Sequence, residues 1–290
     1  MTATEPKRPG RQLARVAGAL LLFYIAGLVL SAVLISWWAQ LFGRSLDPES
    51  LGVGDLLAQG FIQIAVFGLL SLLLVRVLRP PPTTDWRLSF KGAGRGFLLG
   101  LGIAAGLAAS AMLLATVLGG ARWVRDTGSL IDYARSVVVS LVALAPPALA
   151  EEIAFRGVPL VLLSSVAGRS SAIVILALLF ALIHLQNPDV SVLAIGNIAL
   201  AGIVLGLAFY LPGGLWTAWG AHLGWNGALA ALDAPVSGLP LRMPLIDFVP
   251  GTPTWLTGGA FGPEGGLVAT IAFGAGAFLL GRRAGKAIAA

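Results

Sequence analysis

Residues 148–158 read ALAEEIAFRGV and set two glutamates, Glu151 and Glu152, and an arginine, Arg156, inside an otherwise apolar run. A charged side chain near the middle of a bilayer costs roughly 2.5 to 3.5 kcal/mol on insertion scales, so three in one segment require partners or water. Residues four apart share a helix face. Glu152 and Arg156 can therefore pair, while Glu151, turned by about 100°, is left outside that pair. A carboxylate in a dry setting suits a general base or acid working near neutral pH. The plainer alternative is an ion pair that locks two helices together, with Glu151 capping a neighbouring group.

The chain has two histidines, His184 and His222, and each falls in an apolar stretch. His184 ends the run FALIH, four residues after Phe180, and His222 opens HLGWN, four residues before Asn226. The second spacing puts an imidazole and a carboxamide on one helical face. Together the four polar groups can hydrolyse an amide without a covalent intermediate. Glu151 takes a proton from water, one imidazole orients that water, and His222 with Asn226 donates hydrogen bonds to the oxyanion. The set Glu151, His184 and His222 can instead ligate a divalent metal such as zinc, which would then activate the water. The helical zinc pattern of two histidines flanking a glutamate is absent and asparagine is an uncommon ligand, so metal-free chemistry is the simpler reading, with zinc as the alternative.

The surrounding elements are membrane helices. Of the 290 residues, 57% are hydrophobic and 11% charged, against about 25% charged in an ordinary soluble domain. There is no cysteine, which excludes disulfides, thiolate metal sites and a cysteine nucleophile. The formal charge of +6 is scattered at the ends of apolar runs, and this argues against nucleic acid as a partner. The basic start runs into an apolar stretch too long for a cleaved leader, so it reads as a first span. Windows long enough to cross a bilayer fall at 16–42, 54–78, 96–119, 136–163, 171–187, 190–211, 214–232 and 266–284. The expectation is an all-α polytopic membrane protein of about eight transmembrane helices, a single transmembrane domain over 1–290 with a catalytic core at 136–232.

With a cytoplasmic N-terminus, that side carries Lys7, Arg8, Arg11, Arg15, Arg76, Arg79, Arg87, Lys91, Arg95, Arg169, Arg282, Arg283 and Lys286. The other side carries Arg44, Arg122, Arg125, Arg135 and Arg242. The positive-inside rule then puts both termini in the cytoplasm. Several local features carry expectations of their own. Residues 79–95 read as a proline-rich linker and an interfacial segment. Gly102 and Gly106 have the spacing of a close helix contact. Pro146, Pro147 and Pro159 should kink the fourth span and admit solvent. Residues 234–266 form the longest structureless piece, a lid or a connector. Trp37, Trp38, Trp123 and Trp255 read as belt residues.

Read together, these motifs resemble the CAAX protease and bacteriocin-processing (CPBP, formerly Abi) family of intramembrane proteases. The pattern EExxxR appears as Glu151, Glu152 and Arg156, FxxxH as Phe180 and His184, and the last motif as His222 and Asn226. The resemblance covers roughly 136–232. It implies an endopeptidase whose eukaryotic members trim the last three residues from prenylated C-a-a-X proteins. In that reading Glu151 is the base and His184 its partner on the water. His222 and Asn226 are the oxyanion site, and Glu152 and Arg156 give support. The substrate is a peptide or protein, bound from or near the lipid bilayer. A proton-coupled transporter using the same groups as a relay and a non-catalytic scaffold are the alternatives. Depth is a difficulty. Glu151 lies about 15 residues from one end of its expected helix and His184 about three from the same end of its own, so they meet only if a helix is tilted, kinked or differently bounded.

Overall fold

A computed structural model describes residues 9–47 and 50–289. Lys7 and Arg8, and the side chain of Lys286, lie outside the described residues. The chain runs α1 (Pro9–Leu41), α2 (Val53–Leu78), α3 (Ala93–Gly119), β1 (Arg122–Arg125), α4 (Leu130–Arg156), α5 (Val158–Ala167), α6 (Arg169–Leu182), α7 (Val192–Phe209), α8 (Leu215–Ala231), β2 (Ile246–Val249), α9 (Thr254–Thr257) and α10 (Leu267–Ala289). The two strands pair antiparallel with Trp123 opposite Phe248. This ribbon marks one end of the bundle. Large apolar side chains such as Leu22, Leu69, Leu72 and Phe278 point outward, which suits lipid and not water. The protein is an all-α, multi-pass membrane protein.

Six stretches among the described residues are long and apolar enough to cross a bilayer: Gly10–Leu41, Val53–Leu78, Ala93–Gly119, Leu130–Ala167, Val192–Phe209 and Leu267–Gly285. The other two expected spans are shorter. Helix α6 has 14 residues and α8 has 17, or about 21 and 26 Å at the rise of an α-helix. The expected span 171–187 ends early, at Leu182, and residues 183–190 continue as turns.

What fills the space beyond α6 is the stretch 232–266, which is folded and not structureless. It contributes β2, α9 and two short 3-10 turns. Asn187 donates from Nδ2 to the carbonyl of Ser237 at 2.9 Å, and the backbone N–H of Gly238 bonds the carbonyl of Phe261 at 3.0 Å. Trp123, expected as a belt residue, donates its indole N–H to the carbonyl of Leu232 at 2.7 Å and packs on Phe248. Trp37 and Trp255 stay exposed.

The fourth span also differs from expectation. Helix α4 starts at a capping box, in which Ser129 Oγ accepts from the N–H of Asp132 and Asp132 accepts from the N–H of Ser129. It continues through Pro146 and Pro147. Gly60 of α2 sits against that proline pair with no room for a side chain. The break falls at Gly157, whose ψ of −131° is not helical. Pro159 opens α5 two residues later, where its missing N–H costs least.

This break resolves the depth difficulty. Helix α5 carries the chain further from the ribbon, and α6 returns from a turn at Gly168. Glu151 and His184 are 17 and 16 residues from that turn, so both lie about 25 Å along their arms of the hairpin.

Helices α3 and α8 approach most closely. A Cβ on Gly100 would strike the carbonyl of Thr217, one on Gly220 that of Phe97, and one on Gly224 that of Leu101. Gly102 and Gly106, expected to make this contact, face open space. The small-residue face of α3 is therefore Gly96, Gly100, Ala104 and Ala108, shifted by about half a turn from the expected one.

Residues 79–92, read as a linker and an interfacial segment, form a strap without a helix. Arg87 donates to the carbonyls of Phe209, Tyr210 and Leu211 at 2.8–3.1 Å, satisfying the end of α7 and setting the start of α8.

Candidate active site

Glu152 is fully buried on the last turn of α4. Its Oε1 accepts from Arg156 Nη1 at 3.1 Å and from His222 Nδ1 at 2.8 Å. Arg156 donates to the carbonyl of Gly202 on α7 at 3.3 Å, and its guanidinium lies 4.3 Å from the centre of the Phe180 ring. The expected pair of Glu152 and Arg156 is present and is one link of a chain that ties α4, α6, α7 and α8 together. Tyr24 on α1 and Trp219 on α8 steady α4 by donating to the carbonyls of Ala154 and Ala145.

Because Glu152 can only accept, Nδ1 of His222 carries a proton, and Nε2 points the other way. There it faces Glu151, whose Oε2 is 3.8 Å away. That oxygen is buried and has no hydrogen-bond partner among the described residues. The separation is too long for a direct hydrogen bond and suits one mediated by water.

His184 lies two residues past the end of α6 and not inside a helical span. Its Nδ1 donates to the carbonyl of Phe180 at 2.7 Å, so the neutral ring keeps an acceptor at Nε2. The ring stands 4.7 Å from that of Phe180, which in turn meets the ring of His222 at 6.1 Å. His184, His222 and Asn226 line one cavity of about 40 Å³ measured to water centres, room for a few waters. Most of its remaining wall is apolar. Glu151 is not part of that wall; its Oε2 lies 3.8 Å from Nε2 of the wall residue His222.

A family model described as Rce1-like, the type II CAAX prenyl endopeptidases, matches residues 133–228. This segment is similar to that family. The match takes in all of Glu151, Glu152, Arg156, Phe180, His184, His222 and Asn226 and supports a CAAX-type intramembrane endopeptidase. No curated protein and no solved structure matches the chain.

Two polar residues of the cavity lie outside the matched segment and were not anticipated. Glu264 and Ser237 reach it from the folded stretch 232–266. The one available signal was an isolated glutamate in an otherwise uncharged glycine-rich run, FGPEGG. Burial raises the affinity of the Glu264 carboxyl for its proton, and hydrogen bonds from Ser237 and Trp225 oppose this. Among the described residues no three His, Asp or Glu side chains are grouped to hold a metal ion, so Glu151, His184 and His222 do not form a ready ligand set. The Nδ1 atoms of both histidines are already committed to protein acceptors.

Proposed function

We propose that the protein is an intramembrane endopeptidase of CAAX type in which Glu151 activates the water that attacks the scissile amide. The single observation that carries this reading is the buried, unpartnered Oε2 of Glu151 set 3.8 Å from His222 Nε2, at the edge of a cavity shared by His184 and Asn226. His184, His222 and Asn226 share one cavity wall, and Glu151 stands beside His222. Such convergence inside a membrane is a functional arrangement.

In the proposed reaction, Glu151 removes a proton from water as the oxygen adds to the carbonyl carbon of the substrate. Nε2 of His184 accepts a second hydrogen bond from that water and orients it. The oxyanion that forms takes hydrogen bonds from the Asn226 carboxamide and from Nε2–H of His222 in its imidazolium form, flanked by Glu151 and Glu152. The C–N bond then breaks, and the proton held by Glu151 passes to the departing amine. Glu152 acts through His222 by fixing its ring, and Arg156 acts through Glu152. No step is routed through a metal.

Helices α1, α2, α3 and α10 each start or end with basic residues at the end opposite the ribbon, among them Arg11, Arg15, Arg76, Arg95, Arg282 and Arg283. This supports a cytoplasmic location for that end and for both termini.

Reconstituted protein tests the reading directly. It should cleave within a panel of peptides ending in C-a-a-X, prenylated and unprenylated, releasing a C-terminal fragment identified by mass spectrometry. Solute or proton flux dependent on Glu151, with no cleavage of any peptide, would favour transport instead.

A further inference from the structure

Glu264 belongs to none of the sequence motifs, yet it is 5% exposed and shares the cavity wall with His184, His222 and Asn226. Its Oε1 accepts the indole N–H of Trp225 at 3.0 Å. Its Oε2 accepts both the backbone N–H of Ser237 and, at 2.9 Å, the Ser237 hydroxyl. The backbone beneath it is fixed as well. Asn197 of α7 donates to the carbonyls of Glu264 and Gly266 at 2.8 and 2.9 Å, and Thr270 of α10 donates to Asn197 at 2.7 Å.

One carboxylate therefore joins two bodies. Trp225 lies on α8, three positions after His222 and next to Asn226, and its ring packs on Phe273 of α10 at 4.1 Å. Ser237 lies on the stretch 232–266 that covers the end of α6. The rest of the cavity wall is mostly apolar; the other directional hold on α8 there is the bond from His222 to Glu152, which lies on the side of α4. Sub-ångström placement of oxyanion donors decides their value, and a shift of about 1 Å can cost on the order of a hundredfold in rate.

We propose that Glu264 is a positioning residue of the active site: by tying Trp225 of α8 to Ser237 of the covering segment, it fixes the rotation of α8 that aims His222 and Asn226 into the cavity and keeps the cover closed. This rests on the endopeptidase reading above. Glu264→Gln keeps an acceptor for Trp225 and turns a donor toward the donors of Ser237, while Glu264→Ala removes both ties.

The test is steady-state cleavage of a C-a-a-X peptide by full-length protein in liposomes, corrected for folded enzyme. Glu264→Gln should lower kcat about tenfold and Glu264→Ala more, with KM within about twofold of the parent, the loss of one or two charged hydrogen bonds. Trp225→Phe, which removes the indole donor and keeps an aromatic ring, though a smaller one, against Phe273, should lower kcat similarly, and the double variant Glu264→Gln with Trp225→Phe should be no worse than the worse single one. A kcat for Glu264→Ala within about twofold of the parent, an effect confined to KM, or additive effects with Trp225→Phe would each overturn the proposal. If Glu264→Ala does not fold, Ser237→Ala tests the same tie from the other side, and an unchanged kcat there counts against it.

A second readout does not depend on activity. The chain has no cysteine, so Ala201→Cys places a single thiol in the cavity wall. Its labelling by a water-soluble maleimide should quicken about tenfold when Glu264→Ala is added, as a cover held by one charged hydrogen bond fewer opens more often. If the parent cleaves no peptide, the functional reading fails, and an unchanged labelling rate would separately remove the tie.

Discussion

His222 donates from Nδ1 to Oε1 of Glu152 across 2.8 Å, joining α8 to the last turn of α4 over 70 positions of sequence. The bond gives Glu152 a second partner beside Arg156 and leaves Nε2 of His222 as the ring atom that faces Glu151. Two adjacent glutamates thereby divide their work by helical angle: one holds the imidazole, the other meets its free edge.

That division sets the first expectation. Glu152→Gln keeps the shape and loses the charge that selects the His222 ring state. Turnover should fall roughly tenfold to a hundredfold, the worth of a charge-assisted hydrogen bond. Initial rates per folded molecule decide it, and a rate equal to the parent's would detach Glu152 from the reaction.

Arg156 is 2% exposed and Glu152 is fully buried. Arg156→Leu strands the carboxylate with one partner, and breaking a buried pair in this way destabilises by about 3–5 kcal/mol. Arg156→Lys should recover only part of this, since an ammonium cannot serve Glu152, the Gly202 carbonyl and the Phe180 face with one planar group. Thermal unfolding in detergent reads both variants; stability of Arg156→Leu equal to the parent's would contradict a working pair.

The α3–α8 contact gives a matched pair of variants. Gly220→Ala drives a methyl into the carbonyl of Phe97 and should cost about 1–3 kcal/mol by overpacking. Gly102→Ala meets nothing and should be neutral or stabilising by up to about 1 kcal/mol through helix propensity. The reverse order in melting temperature would mean that α3 packs by its other face.

The reach of the sequence stops at identifiable places. Spacings of four residues made His222 and Asn226, Phe180 and His184, and Glu152 and Arg156 legible, because each pair is local to one helix or its end. The link from Glu152 to His222 was not, because helical spacing says nothing about a partner on another helix. Residues 183–188 read IHLQNP, whose polar groups and proline set the expected end of the span at 187, and nothing local announces that α6 stops five residues earlier, at Leu182. The turn that follows is held to the covering segment by the bond from Asn187 to Ser237. Gly102 and Gly106 showed the right spacing on the wrong face, since the same four-residue step recurs at Gly96 and Gly100.

Glu264 lies outside the spanning helices, and burial raises its proton affinity in the folded state above the ordinary carboxylate value. Its contribution to stability is therefore complete at pH values below that ordinary value and is lost as pH rises through the Glu264 pKa. Glu264→Gln lacks this dependence. The melting temperature of the variant minus that of the parent should rise with pH across this window; a flat difference would show that Glu264 titrates normally.

The most direct measurement is single-turnover cleavage of one C-a-a-X peptide by the parent and by Glu151→Gln, with equal melting temperatures confirming that both are folded. The variant should lose at least about a hundredfold in rate, the contribution of a general base, while binding the peptide as before. Cleavage by Glu151→Gln at the parent's rate would show that the unpartnered oxygen beside His222 is not the base.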